Sequence, residues 1–156
     1  MLHLLSLINT AISEPIMTES WHYTPKIRIC WSSDVKKEHV QKALKYFEKE
    51  YNTGVDVTKI EISTNNFCGV PRSLEWGSIY IDDFKKYDDL LALTLTNATT
   101  YTDETILPRL NFAYIQYPND DLYKDESIFI LAHEIGHALG LSHDENDELM
   151  KPYYYY

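Results

Sequence analysis

Along residues 26 to 33, KIRICWSS, apolar Ile27, Ile29 and Trp31 alternate with Lys26, Arg28 and Cys30, the period-two pattern of a half-buried strand. The next stretch, DVKKEHVQKALKYFEKEY, changes period. Val40, Ala43, Leu44, Phe47 and Tyr51 recur at helical spacing while Lys and Glu fill the opposite face, which predicts an amphipathic helix. Ser33 or Asp34 is placed to cap its start, and Asn52 and Gly54 to end it. Alternation returns in VDVTKIEIS (55–63), SIYIDDF (78–84), LLALTLT (90–96) and LPRLNFAYIQY (107–117), with Gly69, Pro71 and Gly77 punctuating the turn-rich segment after the first of these. Pro108 is expected at the first residue of the last strand, because a proline cannot donate to a ladder. Downstream, ESIFILAHEIGHALG is apolar almost throughout, which predicts a buried helix starting near Asp125 or Ser127. The acidic run NDDLYKDE (119–126) reads as a solvated loop leading into it, since it lacks the spacing of a calcium loop.

The resulting order is strand, helix, four strands, helix. A strand, a helix and a second strand in succession favour a parallel pair, and the short later connections allow an antiparallel edge. An α+β fold is expected, as one domain over residues 21–156 behind an N-terminal segment, 1–20. That segment opens with MLHLLSLINTAIS, which is weakly signal-like or disordered: apolar, but without a basic start and interrupted by His3, Ser6 and Asn9. No other run approaches the length of a membrane helix. With 156 residues the chain is long enough for one core. A formal charge of -10 argues against nucleic acid and anionic membrane as partners, because both are bound through clustered Lys and Arg. The two cysteines, Cys30 and Cys68, permit one disulfide without requiring it.

The chemistry concentrates in HEIGHALGLSH, residues 133–143. On a helix His133 and His137 stand at i and i+4, one turn apart on one face, so their imidazoles can converge on one ion. Glu134 lies beside that face, within reach of a water held by the metal. Gly140 can adopt positive φ at the helix end and return the chain so that His143 becomes the third ligand. Three neutral imidazoles leave one tetrahedral position of Zn2+ free, the arrangement of a catalytic rather than a structural site. Gly136, inside the helix, points to close packing of a neighbour. The competing reading is an ordinary buried helix with hydrogen-bonded histidines. Against it, several imidazoles and a carboxylate buried together would each need a polar partner.

The pattern HExxHxxGxxH, filled by His133, Glu134, Gly136, His137, Gly140 and His143, resembles the metzincin zinc metalloendopeptidases. Met150 in ELMKPYY stands where the family has its methionine turn, and Pro152 resembles the matrixin branch, where astacins and serralysins place a tyrosine ligand. Asp144 is as usual in adamalysins, where matrixins more often carry serine. The resemblance implies a twisted five-stranded mixed sheet with one antiparallel edge strand, a backing helix and an active-site helix. It further implies an endopeptidase in which Glu134 is the general base towards a zinc-activated water, and an extended peptide added along the edge strand at Leu91, Ala92, Leu93 and Thr94. Pro152 and Tyr153 are candidates for the S1′ wall, and one catalytic zinc is the implied cofactor. His3, His22 and His39 are scattered, so a second zinc is not implied, and no spacing supports calcium.

Only six residues follow Met150, so the helix that the family packs behind its active site is expected to be missing or replaced by the tyrosine run 153–156. CGVP (68–71) resembles the matrixin propeptide switch, but it follows the second strand and carries Arg72 where that motif has Asp. An ordinary turn, or a disulfide from Cys68 to Cys30, is the alternative. With no recognisable propeptide, restraint from outside the chain is expected. The rival function is a catalytically silent zinc-binding structural or accessory protein on the same fold. A monomer in an extracellular or virion-associated setting is favoured over a cytoplasmic one.

Overall fold

The computed structural model describes residues 16–48, 51–68, 75–83, 92–118 and 124–152. β1 (Lys26–Cys30) leads into α1 (Lys37–Leu44), then to β2 (Ile62–Asn66), β3 (Ser78–Asp83), β4 (Leu93–Thr99), β5 (Arg109–Tyr117) and α2 (Lys124–Ala138). The five strands form one sheet in the order β2-β1-β3-β5-β4. The pairs β1/β2, β1/β3 and β3/β5 are parallel, and β4 runs antiparallel to β5 at the edge. This is the α+β architecture expected, a five-stranded mixed sheet with one antiparallel edge and two helices.

Register explains why the alternation in the sequence becomes a core. Ile27 lies beside Ile79 and Ile79 beside Ala113, while Ile29 lies beside Ile81 and Ile81 beside Ile115. These side chains share one face, where Val40, Ala43 and Leu44 of α1 and Leu131 and Ile135 of α2 meet them. Each such aliphatic side chain removed from water contributes about 1.5–3 kcal/mol. β3, in the centre, is also covered on its other face, where Cys30, Cys68 and Tyr80 form a small second cluster with Tyr114 packed on it. Cys30 and Cys68 are joined in a disulfide. Cys68 is therefore no thiolate ligand, and residues 69–71 of the CGVP segment lie outside the described residues.

Several boundaries differ from the periodicity. α1 begins at Lys37, after neither of the expected caps: the Ser33 hydroxyl is taken by the Val35 N–H at 3.2 Å, and the Lys36 N–H donates to the His39 imidazole at 3.1 Å. The α-helix ends at Leu44 and passes into a 3₁₀ turn at Lys45–Phe47. The 55–63 alternation is not one strand, because Val57–Lys59 form a 3₁₀ turn whose Asp56 carboxylate accepts from the Thr58 N–H. Such local bonding competes with a ladder, and β2 starts later, at Ile62. β1 ends at Cys30, so Trp31, expected inward, is 66% exposed on the following turn while Cys30 is buried. β4 runs on to Thr99 through polar residues. α2 starts at Lys124, taking in the end of the acidic run, whose residues 119–123 lie outside the described residues.

Two glycines tie α2 to its surroundings. Gly140 has φ +102, its N–H donates to His137 O at 2.9 Å, and the Leu141 N–H donates to Gly136 O at 2.9 Å, the paired bonds of a Schellman turn. Residues Ile16–Trp21 lie along this turn. Thr18 N–H donates to Gly140 O at 2.9 Å, Ser142 N–H to Ile16 O at 3.0 Å, and the buried Trp21 indole to Ala138 O at 2.9 Å. On their other side the Ser20 N–H donates to Pro108 O, and the Leu110 N–H to Ser20 O at 2.8 Å. A Cβ on Gly140 would stand 2.0 Å from the Glu19 main-chain oxygen, and one on Gly136 would stand 2.4 Å from the Met150 sulfur.

Gly140→Ala should therefore destabilise by about 3 kcal/mol or more, since backbone must move and positive φ is strained. Gly136→Ala should cost about 1–3 kcal/mol, because a side chain can give way. Urea unfolding of both variants checks the order, and equal losses would contradict it. Replacing both cysteines by serine opens a crosslink across a sequence separation of 38, and should lower the unfolding free energy by about 2–4 kcal/mol. An unchanged unfolding curve would refute that contribution.

Candidate metal centre

α2 carries His133 and His137 one turn apart, and the Gly140 turn brings His143 back to them. The Nε2 atoms are 3.1 Å apart between His133 and His137, 3.0 Å between His137 and His143, and 3.3 Å between His133 and His143. Three nitrogens on one tetrahedral zinc at ~2.1 Å would stand roughly 3.4 Å apart, so small ring movements bring the observed spacing to that of such an ion. Among the described residues these three form the one group of three or more His, Cys, Asp or Glu side chains able to hold a metal.

The second nitrogens decide the chemistry. His133 Nδ1 lies 2.6 Å from Leu149 O, and His137 Nδ1 2.9 Å from Leu141 O. A carbonyl can only accept, so each Nδ1 carries the proton and each Nε2 turns a lone pair inwards. Lone pairs facing one another at this distance repel, and a cation between them removes the repulsion. Burial points the same way. It lowers the His133 pKa to about 4, with the neighbouring imidazoles adding to the effect and the Leu149 carbonyl opposing it. Burial also lowers that of His137. Both rings are thus neutral, the form that ligates.

Glu134 is buried, and burial raises its pKa to about 7, opposed by a hydrogen bond from Thr94. The Thr94 hydroxyl on β4 donates to the Glu134 carboxylate and lies 3.1 Å from the Glu134 main-chain oxygen. A cation among the imidazoles would act in the opposite sense and favour the ionised carboxylate. Met150 is fully buried beneath Gly136, and Pro152 is half-buried beyond it.

The structure thus brings together His133, His137, His143, Glu134 and Met150, and it sets Thr94 over them from the edge strand. Ala92 precedes β4 and is buried, and Leu93 begins the strand. Leu91 and Tyr153 lie outside the described residues. Sequence reading placed Thr94 on the edge strand for its backbone and missed its hydroxyl. No local pattern signals that bond, because its partner is 40 residues away. Asp147 accepts from the Met150 N–H at 2.7 Å and meets the Tyr51 hydroxyl at 2.9 Å; an Asp three residues before Met150 is a turn-forming signal, whereas no spacing links it to Tyr51.

No curated protein matches this chain. The family model described as Matrixin matches residues 20–156. With its sheet order, its three convergent imidazoles and a match over most of its length, the chain belongs to the matrixin family and carries a zinc-metalloendopeptidase-like domain.

Proposed function

We propose that this domain is a zinc-dependent endopeptidase acting on internal bonds of extended peptides. The observation that carries the reading is the convergence of three Nε2 atoms, with a buried carboxylate on the residue after His133. His133, His137 and His143 would hold the zinc. When bound, that ion supplies Lewis acidity and brings the pKa of a water down towards neutrality. Glu134 takes a proton at its carboxylate and hands it to the departing amine. Thr94 holds that carboxylate from β4 and so limits the rotamers from which the transfer starts.

β4 supports a peptide substrate. It is the last strand of the sheet order, its ladder with β5 uses one side of its backbone, and an extended chain can add to the other side by main-chain hydrogen bonds. Pro152 and Tyr153 remain the candidates for the S1′ wall. The Cys30–Cys68 disulfide suits an oxidising compartment, and matrixins are typically secreted. No helix among the described residues is long and apolar enough to cross a membrane. The disulfide and the family membership support an extracellular or virion-associated setting.

Zinc content and cleavage of an unstructured protein mixture, measured for the native chain and for Glu134→Gln, test this reading. Both should bind one zinc, and the substitution should slow hydrolysis by about 10²–10⁴-fold. Zinc in both with no cleavage by either would favour a silent accessory protein, and an undiminished rate in Glu134→Gln would remove the carboxylate from the mechanism.

A further inference from the structure

We infer that Asp147 and Tyr51 act as a positioning pair for the ligand His133, through the single peptide unit that joins Leu149 to Met150. The inference rests on the zinc reading above. The carbonyl of that unit accepts from His133 Nδ1 at 2.6 Å. Its N–H, on Met150, donates to the Asp147 carboxylate at 2.7 Å. The unit is planar, so fixing the direction of the N–H fixes the direction of the C=O. Carboxylate, peptide and imidazole thus form one hydrogen-bonded line. A negative charge at its far end polarises the carbonyl, and a stronger acceptor makes the ring a better donor to a metal.

The carboxylate is itself held. The Tyr51 hydroxyl lies 2.9 Å from one Asp147 oxygen and 3.0 Å from the other, so it opposes rotation of the group. The Tyr51 ring packs on Phe47, with centroids 5.4 Å apart. The segment closes on itself as well, with Asp144 N–H donating to Met150 O at 3.0 Å and Asp147 N–H to Asp144 O at 3.1 Å.

A turn-forming role for Asp147 would require only the Met150 N–H, three residues on. The hydroxyl of Tyr51, 96 residues away in sequence, has no part in such a turn. Its presence is what assigns the carboxylate to the metal ligand rather than to the loop alone.

The test compares zinc affinity, by competition with a chromogenic chelator, and the visible spectrum of the cobalt-substituted protein. The full chain is used in native form and as Tyr51→Phe, Asp147→Asn and Asp147→Ala. Val40→Ala, on the buried face of α1, serves as a control for general loss of stability. Tyr51→Phe should weaken zinc about tenfold and Asp147→Ala about 10–100-fold, with Asp147→Asn between them. The cobalt bands should shift in the same order. Val40→Ala should leave both readouts unchanged at an equal or greater loss of stability.

Native affinity and spectrum in Tyr51→Phe and Asp147→Asn would overturn the inference, as would an equal loss of zinc in Val40→Ala. If Asp147→Ala does not fold, Tyr51→Phe decides alone, since it removes one oxygen and keeps the ring. A native protein that takes up no zinc at all would refute the metal reading itself, a separate outcome from a native protein that binds zinc indifferently to Tyr51.

Discussion

His137 lies in the last turn of α2, and His143 comes six residues later, yet their Nε2 atoms are 3.0 Å apart. A straight helix continued past Ala138 would carry residue 143 away along its axis at 1.5 Å per residue. The left-handed turn at Gly140 reverses the chain instead, and it does so where the Glu19 backbone leaves no room for a side chain. The convergence of the three imidazoles, the seam with Ile16–Trp21 and the carbonyl that holds His137 Nδ1 all follow from that one turn. In physical terms the glycine is selected twice, by its φ and by the space around its α-carbon.

What the sequence reveals is what depends on neighbours in the chain. His133, Glu134, His137, Gly140 and His143 span eleven positions, and helix geometry with one glycine turn is enough to bring them together. The core faces of β1, β3, β5 and α1 are legible for a related reason. Each turns its apolar period to the core between sheet and helices, and β3 is buried on its other face as well. The outer strands are less legible. β2 reads ISTNN and β4 reads LTLTNAT, and their limits are set by the backbones of β1 and β5 rather than by their own side chains. The Thr94 hydroxyl on Glu134, and Tyr51 against Asp147, are contacts between distant segments, which no spacing rule records. Trp31 shows the converse failure, where alternation continues past the point at which the strand has ended.

The sheet divides its labour between its faces. The inner one carries both helices and the candidate metal centre. The outer one is sealed by the disulfide and Tyr80, by the Tyr114 hydroxyl donating to the Asp82 carboxylate, and by Arg28 paired with Glu75 at 2.8 Å. Burial and the carboxylate beside it raise the Tyr114 pKa, so the phenol stays protonated and remains a donor. A parallel centre needs cover on both sides, and here a crosslink and two tyrosines supply part of what a helix layer would supply in a larger domain.

His133, His137 and the proposed base Glu134 belong to one helix, but their orienting partners come from elsewhere: Leu149 for His133, Leu141 for His137 and Thr94 for Glu134. Two of those partners lie on the turns that follow α2, and the third lies on the strand at the open edge of the sheet. This arrangement separates two demands. The ligands need a fixed tautomer and a fixed lone pair, and backbone carbonyls in closed turns meet that need because they can only accept. The base must exchange protons, and a hydroxyl meets that need because it can rotate while the carboxylate changes state. It also places the proposed base against β4, an edge strand to which an extended chain could add. A peptide aligned on β4 would then be registered by the same element that orients Glu134, so substrate and base would share a frame of reference.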